Sequence, residues 1–195
     1  MAYPTVSAPY GFRPLNRLDG VAYAGATRTY KIASTYNTPI YNGDLVILVT
    51  GGTIEKFTGT QSGSPVGVFM GCNYTNAQSQ PVQAQYYPGT SVTSASAMVV
   101  IDPTALFQVA VTTSGSAISS AALASIGSNM EVVPGTGSAT TGNSGASVLA
   151  GSETGTAAFP IRVVDVVYAT ATGADAFPEL IVKINLNQFN YTTGV

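Results

Sequence analysis

The stretch of sequence that decides the fold is Asp44-Leu45-Val46-Ile47-Leu48-Val49-Thr50-Gly51-Gly52-Thr53-Ile54-Glu55-Lys56-Phe57. An apolar run of strand length comes before the two glycines, and a second short run comes after them. Two glycines between such runs are typical of a tight β-hairpin, because the turn needs residues that adopt a positive φ at low cost. The stretch therefore predicts two antiparallel strands joined by a two-residue turn.

Strand signals extend from this hairpin in both directions along the chain. In residues 28–32, Tyr30 and Ile32 alternate with polar residues, which is the period of two expected for a half-buried strand. Many short strands separated by turn residues predict an all-β protein, mainly an antiparallel β-barrel or sandwich. Further strands are predicted over residues 66–74, 83–87, 97–101, 106–112, 161–168 and 180–186.

Two segments depart from the strand pattern. Ile118, Ala122 and Ile126 recur at helical spacing ahead of Gly127, and this predicts one short helix over about residues 116–126. Residues 134–157 are rich in Gly, Ser, Thr and Ala and predict a long loop or hairpin region. Within that region, residues 146–149 could pair as an edge strand.

The first 26 residues show neither helical nor strand periodicity. Pro4, Pro9 and Pro14 favour extended backbone and remove hydrogen-bond donors. A frayed terminus is one interpretation, but the aromatic residues between the prolines are typical of a segment that packs on another surface. We therefore predict an extended N-terminal arm over residues 1–26, followed by a β-rich domain over residues 27–195.

The composition excludes most reaction chemistry. The chain has no histidine, one cysteine, and 16 charged side chains, 7 basic plus 9 acidic. A catalytic triad, a zinc site and a phosphate-binding glycine loop all lack their required residues. We predict no catalytic, cofactor-binding or metal-binding residue; a pair of carboxylates drawn from the dispersed acids would be the remaining route to an enzyme.

Charge and hydropathy also limit the partners. The net charge is -2 and the basic residues are scattered, so nucleic-acid binding is not expected. No apolar run is long enough to cross a membrane, and the N-terminus lacks the pattern of an export signal, so we expect synthesis in the cytoplasm and no membrane partner. Cys72 lies in an apolar run and is predicted to be a small core residue.

Five segments, taken in order, resemble structural proteins of tailed-bacteriophage heads, specifically capsid decoration or cement proteins. None of these segments carries catalytic residues, and the resemblance rests on their order along nearly the whole chain. They are Tyr10-Gly11-Phe12-Arg13-Pro14, Ile32-Ala33-Ser34 through Gly43-Asp44-Leu45-Val46, Val66-Gly67-Val68-Phe69-Met70-Gly71-Cys72-Asn73-Tyr74, Asp102-Pro103-Thr104-Ala105-Leu106-Phe107, and Leu180-Ile181-Val182-Lys183-Ile184-Asn185.

The resemblance implies a structural virion protein on the outer capsid surface, which binds an icosahedral phage head and stabilises contacts between major capsid proteins. It also implies a homo-oligomer, with a trimer preferred by analogy and a dimer as the next choice. We expect the arm to make the contact with an adjacent subunit or with the capsid. The expected protein-interface residues are Tyr3, Tyr10, Phe12, Arg13 and Arg17.

A carbohydrate-binding or receptor-binding β module of a virion is the alternative function. The 11 tyrosines and the many hydroxyl side chains could supply ring stacking and hydrogen bonds to a sugar. The absence of tryptophan weighs against this alternative.

Overall fold

The computed structural model describes residues 7–59, 64–114, 125–170, 177–185 and 187–190. Within these ranges the chain forms mainly β-strands, with a short 3₁₀ turn at Gln188–Asn190. The strands are β1 (Arg13–Arg17), β2 (Thr27–Ile32), β3 (Leu45–Val49), β4 (Thr53–Lys56), β5 (Gly67–Asn76), β6 (Pro81–Ala84), β7 (Val92–Val100), β8 (Ala105–Thr112), β9 (Asn129–Met130), β10 (Val132–Val133), β11 (Ser147–Leu149), β12 (Ile161–Val166) and β13 (Glu179–Ile184).

One sheet forms a small barrel, which we call the first barrel. Its strands follow the order β3-β4-β2-β7-β5-β6, and β3 also pairs with β5. This additional pairing closes the first five strands of that order into a ring, and β6 extends from β5 outside it. The β2–β4 pair is parallel, and the other pairs in the ring are antiparallel.

The predicted hairpin over residues 44–57 is confirmed as β3 and β4, but three residues, Thr50, Gly51 and Gly52, join the strands instead of the predicted two. Val46 pairs with Lys56 and Val49 with Thr53, and the turn glycines adopt φ values of 99° at Gly51 and 76° at Gly52. Gly52 N donates to the carbonyl of Val49 at 3.0 Å, so Thr50 and Gly51 are the central residues of the turn. Glycine reaches the positive φ at positions 51 and 52 without strain.

The other sheet forms a second barrel. Its order is β10-β11-β8-β13-β12-β9, and β1 adds to β8. Only Glu131 separates β9 from β10, so one short stretch of chain pairs with β12 at one end of the sheet and with β11 at the other. The sheet is thereby closed into a barrel-like form.

The two barrels share a wall. The interior of the first barrel is apolar and includes Val46, Ile54 and Phe69. Leu45, Ile47, Val68 and Val100 belong to strands of the first barrel but point outward into the core of the second barrel. There they lie with Phe107, Val109 and Val182. The continuous apolar run of β3 is therefore explained by burial on both of its faces.

The all-β prediction is confirmed. The predicted N-terminal arm and the predicted short helix are not confirmed. The N-terminal arm over residues 1–26 is not confirmed in its described part, residues 7–26, because Phe12 is fully buried and residues 13–17 form β1 in the second barrel. Pro14 fits there because β1 joins β8 at the side of the sheet. Nor is the predicted short helix confirmed: residues 115–124, which carry most of it, lie outside the described ranges.

The loop or hairpin region over residues 134–157 contains one short strand. Residues 147–149 form β11, close to the predicted 146–149. This strand is not at an edge, because it pairs with β10 on one side and runs parallel to β8 on the other. It is one of the strands that close the second barrel.

Gly67 lies where β5 closely approaches β7 in the first barrel. A Cβ atom at this position would overlap the backbone carbonyl of Val100 on β7. We expect Gly67→Ala to destabilise the protein by about 3 kcal/mol, because β5 and β7 would have to separate. The measurement is chemical denaturation, with Gly155→Ala as the matched control, since nothing lies within 4 Å of a Cβ added there. Equal stability of the two variants would contradict the closed pairing.

Candidate interaction surface

The described residues contain no metal centre and no helix that could cross a membrane. No group of three or more His, Cys, Asp or Glu side chains among them could hold a metal ion. None of their helices has the length and hydrophobicity that a transmembrane span needs. The described groups most able to take part in a reaction are therefore a buried ion pair and the one cysteine.

The buried ion pair joins Asp44 and Lys56. Lys56 Nζ lies 3.1 Å from Asp44 Oδ2, and the Asp44 side chain is completely buried. Asp44 also accepts hydrogen bonds from Ser144 Oγ at 2.6 Å and from Tyr41 N at 2.8 Å, while Lys56 Nζ donates to the carbonyl of Gly135 at 3.3 Å. Burial raises the pKa of Asp44 against the opposing effects of Lys56 and the hydrogen bonds. The pair ties the β3–β4 hairpin to the loop before β11, which is a structural role.

The Asp44–Lys56 pair should behave as a coupled unit. We expect Asp44→Asn and Lys56→Met each to lower the free energy of unfolding by about 3 kcal/mol, because each leaves one charge buried without its partner. The double variant should lose far less than the sum of the two, as measured by urea denaturation of all four proteins. Lys31→Met on the exposed side of β2 is the control. Additive losses would show that the two side chains act independently.

Cys72 is a core residue and not a nucleophile. It is fully buried in the first barrel, and its thiol donates a hydrogen bond to the carbonyl of Tyr86 at 3.4 Å. Burial raises the pKa of the Cys72 thiol to about 12. At neutral pH the reactive thiolate is therefore nearly absent.

The environment of Cys72 predicts its reactivity. Because the thiol is buried and its pKa is raised, we expect a chromogenic disulfide reagent to leave the native protein unmodified at mildly alkaline pH. The same reagent should modify the guanidinium-unfolded chain completely, which serves as the control. Rapid labelling of the native protein would contradict the closed core around β5.

A hairpin tip at the end of β1 presents the clearest exposed apolar surface. We call residues 15–22 the β1 tip. Arg17 N donates to the carbonyl of Val21 at 2.9 Å, Gly20 N donates to the carbonyl of Arg17 at 2.9 Å, and Leu18 N donates to the carbonyl of Thr104 at 2.8 Å. These backbone hydrogen bonds hold the tip in one conformation against the second barrel.

The Arg17 side chain fastens the β1 tip to the loop before β8. Its Nε lies 3.3 Å from Asp102 Oδ2 and donates to Thr104 Oγ1 at 3.1 Å, and its terminal nitrogen lies 3.6 Å from Asp19. Burial disfavours ionisation of Asp102, but the hydrogen bonds from Thr104 and the charge of Arg17 outweigh it and lower the pKa of that carboxyl. Arg17 therefore positions the tip.

Three aliphatic side chains project from the β1 tip. Leu15 is 41% exposed, Leu18 51% and Val21 55%. Isolated exposed leucines are ordinary, but three large apolar side chains exposed within one short hairpin are typical of protein interfaces. Sequence analysis missed this group, because these residues follow no strand or helix period and lie in a segment interpreted as an arm.

The predicted interface residues take different positions. Tyr3 lies outside the described residues. Tyr10 is partly buried, its hydroxyl donates to the Glu179 carboxylate, and the Arg13 guanidinium lies 4.0 Å from the centre of its ring. Burial, followed by the hydrogen bond with Glu179, raises the pKa of Tyr10. Tyr10 therefore anchors the chain to β13, while Arg13 is exposed beside it.

Phe12 corrects the expected interface. Its side chain is fully buried, and its ring meets Phe107 edge-to-face with 6.4 Å between the ring centres. A side chain in this position stabilises the core of the second barrel and is not accessible to a partner. Arg13 and Arg17 remain at the surface, on the same strand as Leu15.

No protein-family model matches the chain, and no curated protein or solved structure matches it. Its function must therefore be inferred from its own residues. The β1 tip is the feature of those residues that points most directly to a partner.

Proposed function

We propose that this protein is a structural virion protein that binds the outer surface of an icosahedral phage head and stabilises contacts between major capsid proteins. The observation that carries the proposal is the rigid β1 tip, which exposes Leu15, Leu18 and Val21 in the same segment as Arg13 and Arg17. The order of segments that resembles phage head decoration proteins supports the same assignment.

The β1 tip has the physical properties of an adhesive contact. Its backbone is already fixed by hydrogen bonds, so little conformational entropy is lost on binding. Burial of a Leu or Val side chain contributes about 1.5 to 3 kcal/mol. The exposed charge of Arg13 can set the orientation of a partner, while Arg17 holds the tip in place. A weak contact of this size becomes strong when an oligomer makes it several times on one lattice. The proposal therefore includes a homotrimer, with a homodimer as the next choice.

The fold limits which N-terminal deletions are informative. Tyr10 is bonded to Glu179 and Phe12 is in the core, so both belong to the anchored part of the chain. A deletion that reaches Phe12 would therefore damage the fold.

The β1 tip predicts the outcome of a capsid-binding experiment. We expect the double variant Leu18→Ser/Val21→Ser to bind at least about tenfold more weakly, because two apolar contacts at the centre of the interface are lost. Binding is measured by cosedimentation with heads assembled from the major capsid protein encoded in the same genome.

Ile126→Ser is the matched control, since Ile126 is an exposed aliphatic residue outside the tip, at 42% exposure. A further variant lacking residues 1–9 separates any contribution of the N-terminus from that of the tip, because it leaves Phe12 in place. Unchanged binding of the double variant would overturn the assignment of the tip, and failure of the unaltered protein to bind heads would overturn the proposed function.

A further inference from the structure

A second surface feature lies on the first barrel, away from the β1 tip. An open groove of about 380 Å³ runs over the outer face of β5, β6 and β7. Its volume is in the range of natural small-ligand sites. The lining includes Asn73, Thr75, Pro81, Gln83, Ser94 and Ser96.

Strand register places these side chains in two rows. Ser96 on β7 pairs with Asn73 on β5, and Asn73 pairs with Gln83 on β6. The second row runs in the same way from Ser94 through Thr75 to Pro81. Directly paired residues point to the same face of a sheet, so each row crosses three strands.

The first row continues onto a fourth strand. Lys31 on β2 pairs with Ser96, so Lys31, Ser96, Asn73 and Gln83 form one line across the sheet. With strands spaced by about 4.8 Å, four positions cover about 14 Å. This length suits an extended chain of a few sugar rings.

The polar groups of the groove are available to a ligand. The neighbouring residues Cys72 and Ala97 point into the barrel and are fully buried, so Asn73 and Ser96 face outward. Among the described residues, the side chains of Asn73 and Gln83 have no hydrogen-bond partner. Each side-chain amide supplies an NH₂ group that donates and an oxygen that accepts, and each serine hydroxyl can also donate and accept.

We propose that this groove binds a neutral oligosaccharide. Sugar hydroxyls both donate and accept, which matches a row of amides and hydroxyls. The groove lining carries no charged side chain, and Lys31, the one charged residue of the first row, lies beyond the lining on β2, so uncharged hydrogen-bonding groups dominate the site. Pro81 and the methyl group of Thr75 give the second row apolar surface for the carbon-bound hydrogens of a sugar ring.

The groove and the β1 tip lie at different positions along β7. Arg17 of the tip is bonded to Asp102, which follows the end of β7, whereas Ser94 lies near the start of that strand. Eight residues separate these two positions, which is at most about 26 Å in extended chain. Binding at one position therefore does not require contact at the other.

The test is a titration of the isotopically labelled full chain with chitotriose, maltotriose and cellotriose, followed by amide chemical shifts. The proposal expects saturable shifts at Asn73, Gln83 and Ser96 with at least one of these sugars, or with a neutral glycan selected on a printed array. Asn73→Ala and Gln83→Ala should each weaken binding by about tenfold. Gln78→Ala, an exposed glutamine in the turn before β6, should bind normally.

Three results would overturn the proposal. The first is that none of the sugars gives a saturable shift and no neutral glycan binds on the array. The second is that the shifts are confined to residues outside the groove, and the third is that only acidic glycans bind and that this binding disappears in Lys31→Ala. Because the experiment uses isolated protein, none of these results bears on head binding.

Discussion

The rest of the structure depends on the burial of β3 on both of its faces. Val46 points into the first barrel, while Leu45 and Ile47 point into the second, so one strand contributes to two cores. Each of these side chains contributes about 1.5 to 3 kcal/mol through burial. The barrels therefore stabilise each other, and the Asp44–Lys56 pair at the edge of this strand fixes the loop that leads into β11.

This shared wall changes the interpretation of the composition. A chain of 195 residues that encloses two barrel interiors needs apolar side chains on inner faces and again on the wall between them. The low number of charges follows in part from this demand of the core. The informative feature of the surface is consequently the position of its exposed apolar residues, and Leu15, Leu18 and Val21 all lie on one hairpin.

The predictable parts of the fold are those with a local cause. Gly51 and Gly52 determine a turn within four residues of chain, so the β3–β4 hairpin could be read directly. The parallel β2–β4 and β8–β11 pairs and the closure through Glu131 depend on contacts between distant segments, and no local pattern reports them. Phe12 was misinterpreted because prolines surround it. Gly11, with a φ of 82° and its Cα close against Gly43, turns the chain so that the Phe12 ring enters the core.

The two candidate surfaces have opposite chemistry because they sit on different kinds of backbone. The β1 tip is a turn at the side of the second barrel, where aliphatic side chains can project without a facing strand. The groove lies on paired strands, where register alone sets Asn73 between Gln83 and Ser96. A turn can present an apolar anchor to a protein, whereas a flat row of amides and hydroxyls is suited to a polar ligand with repeated hydroxyls.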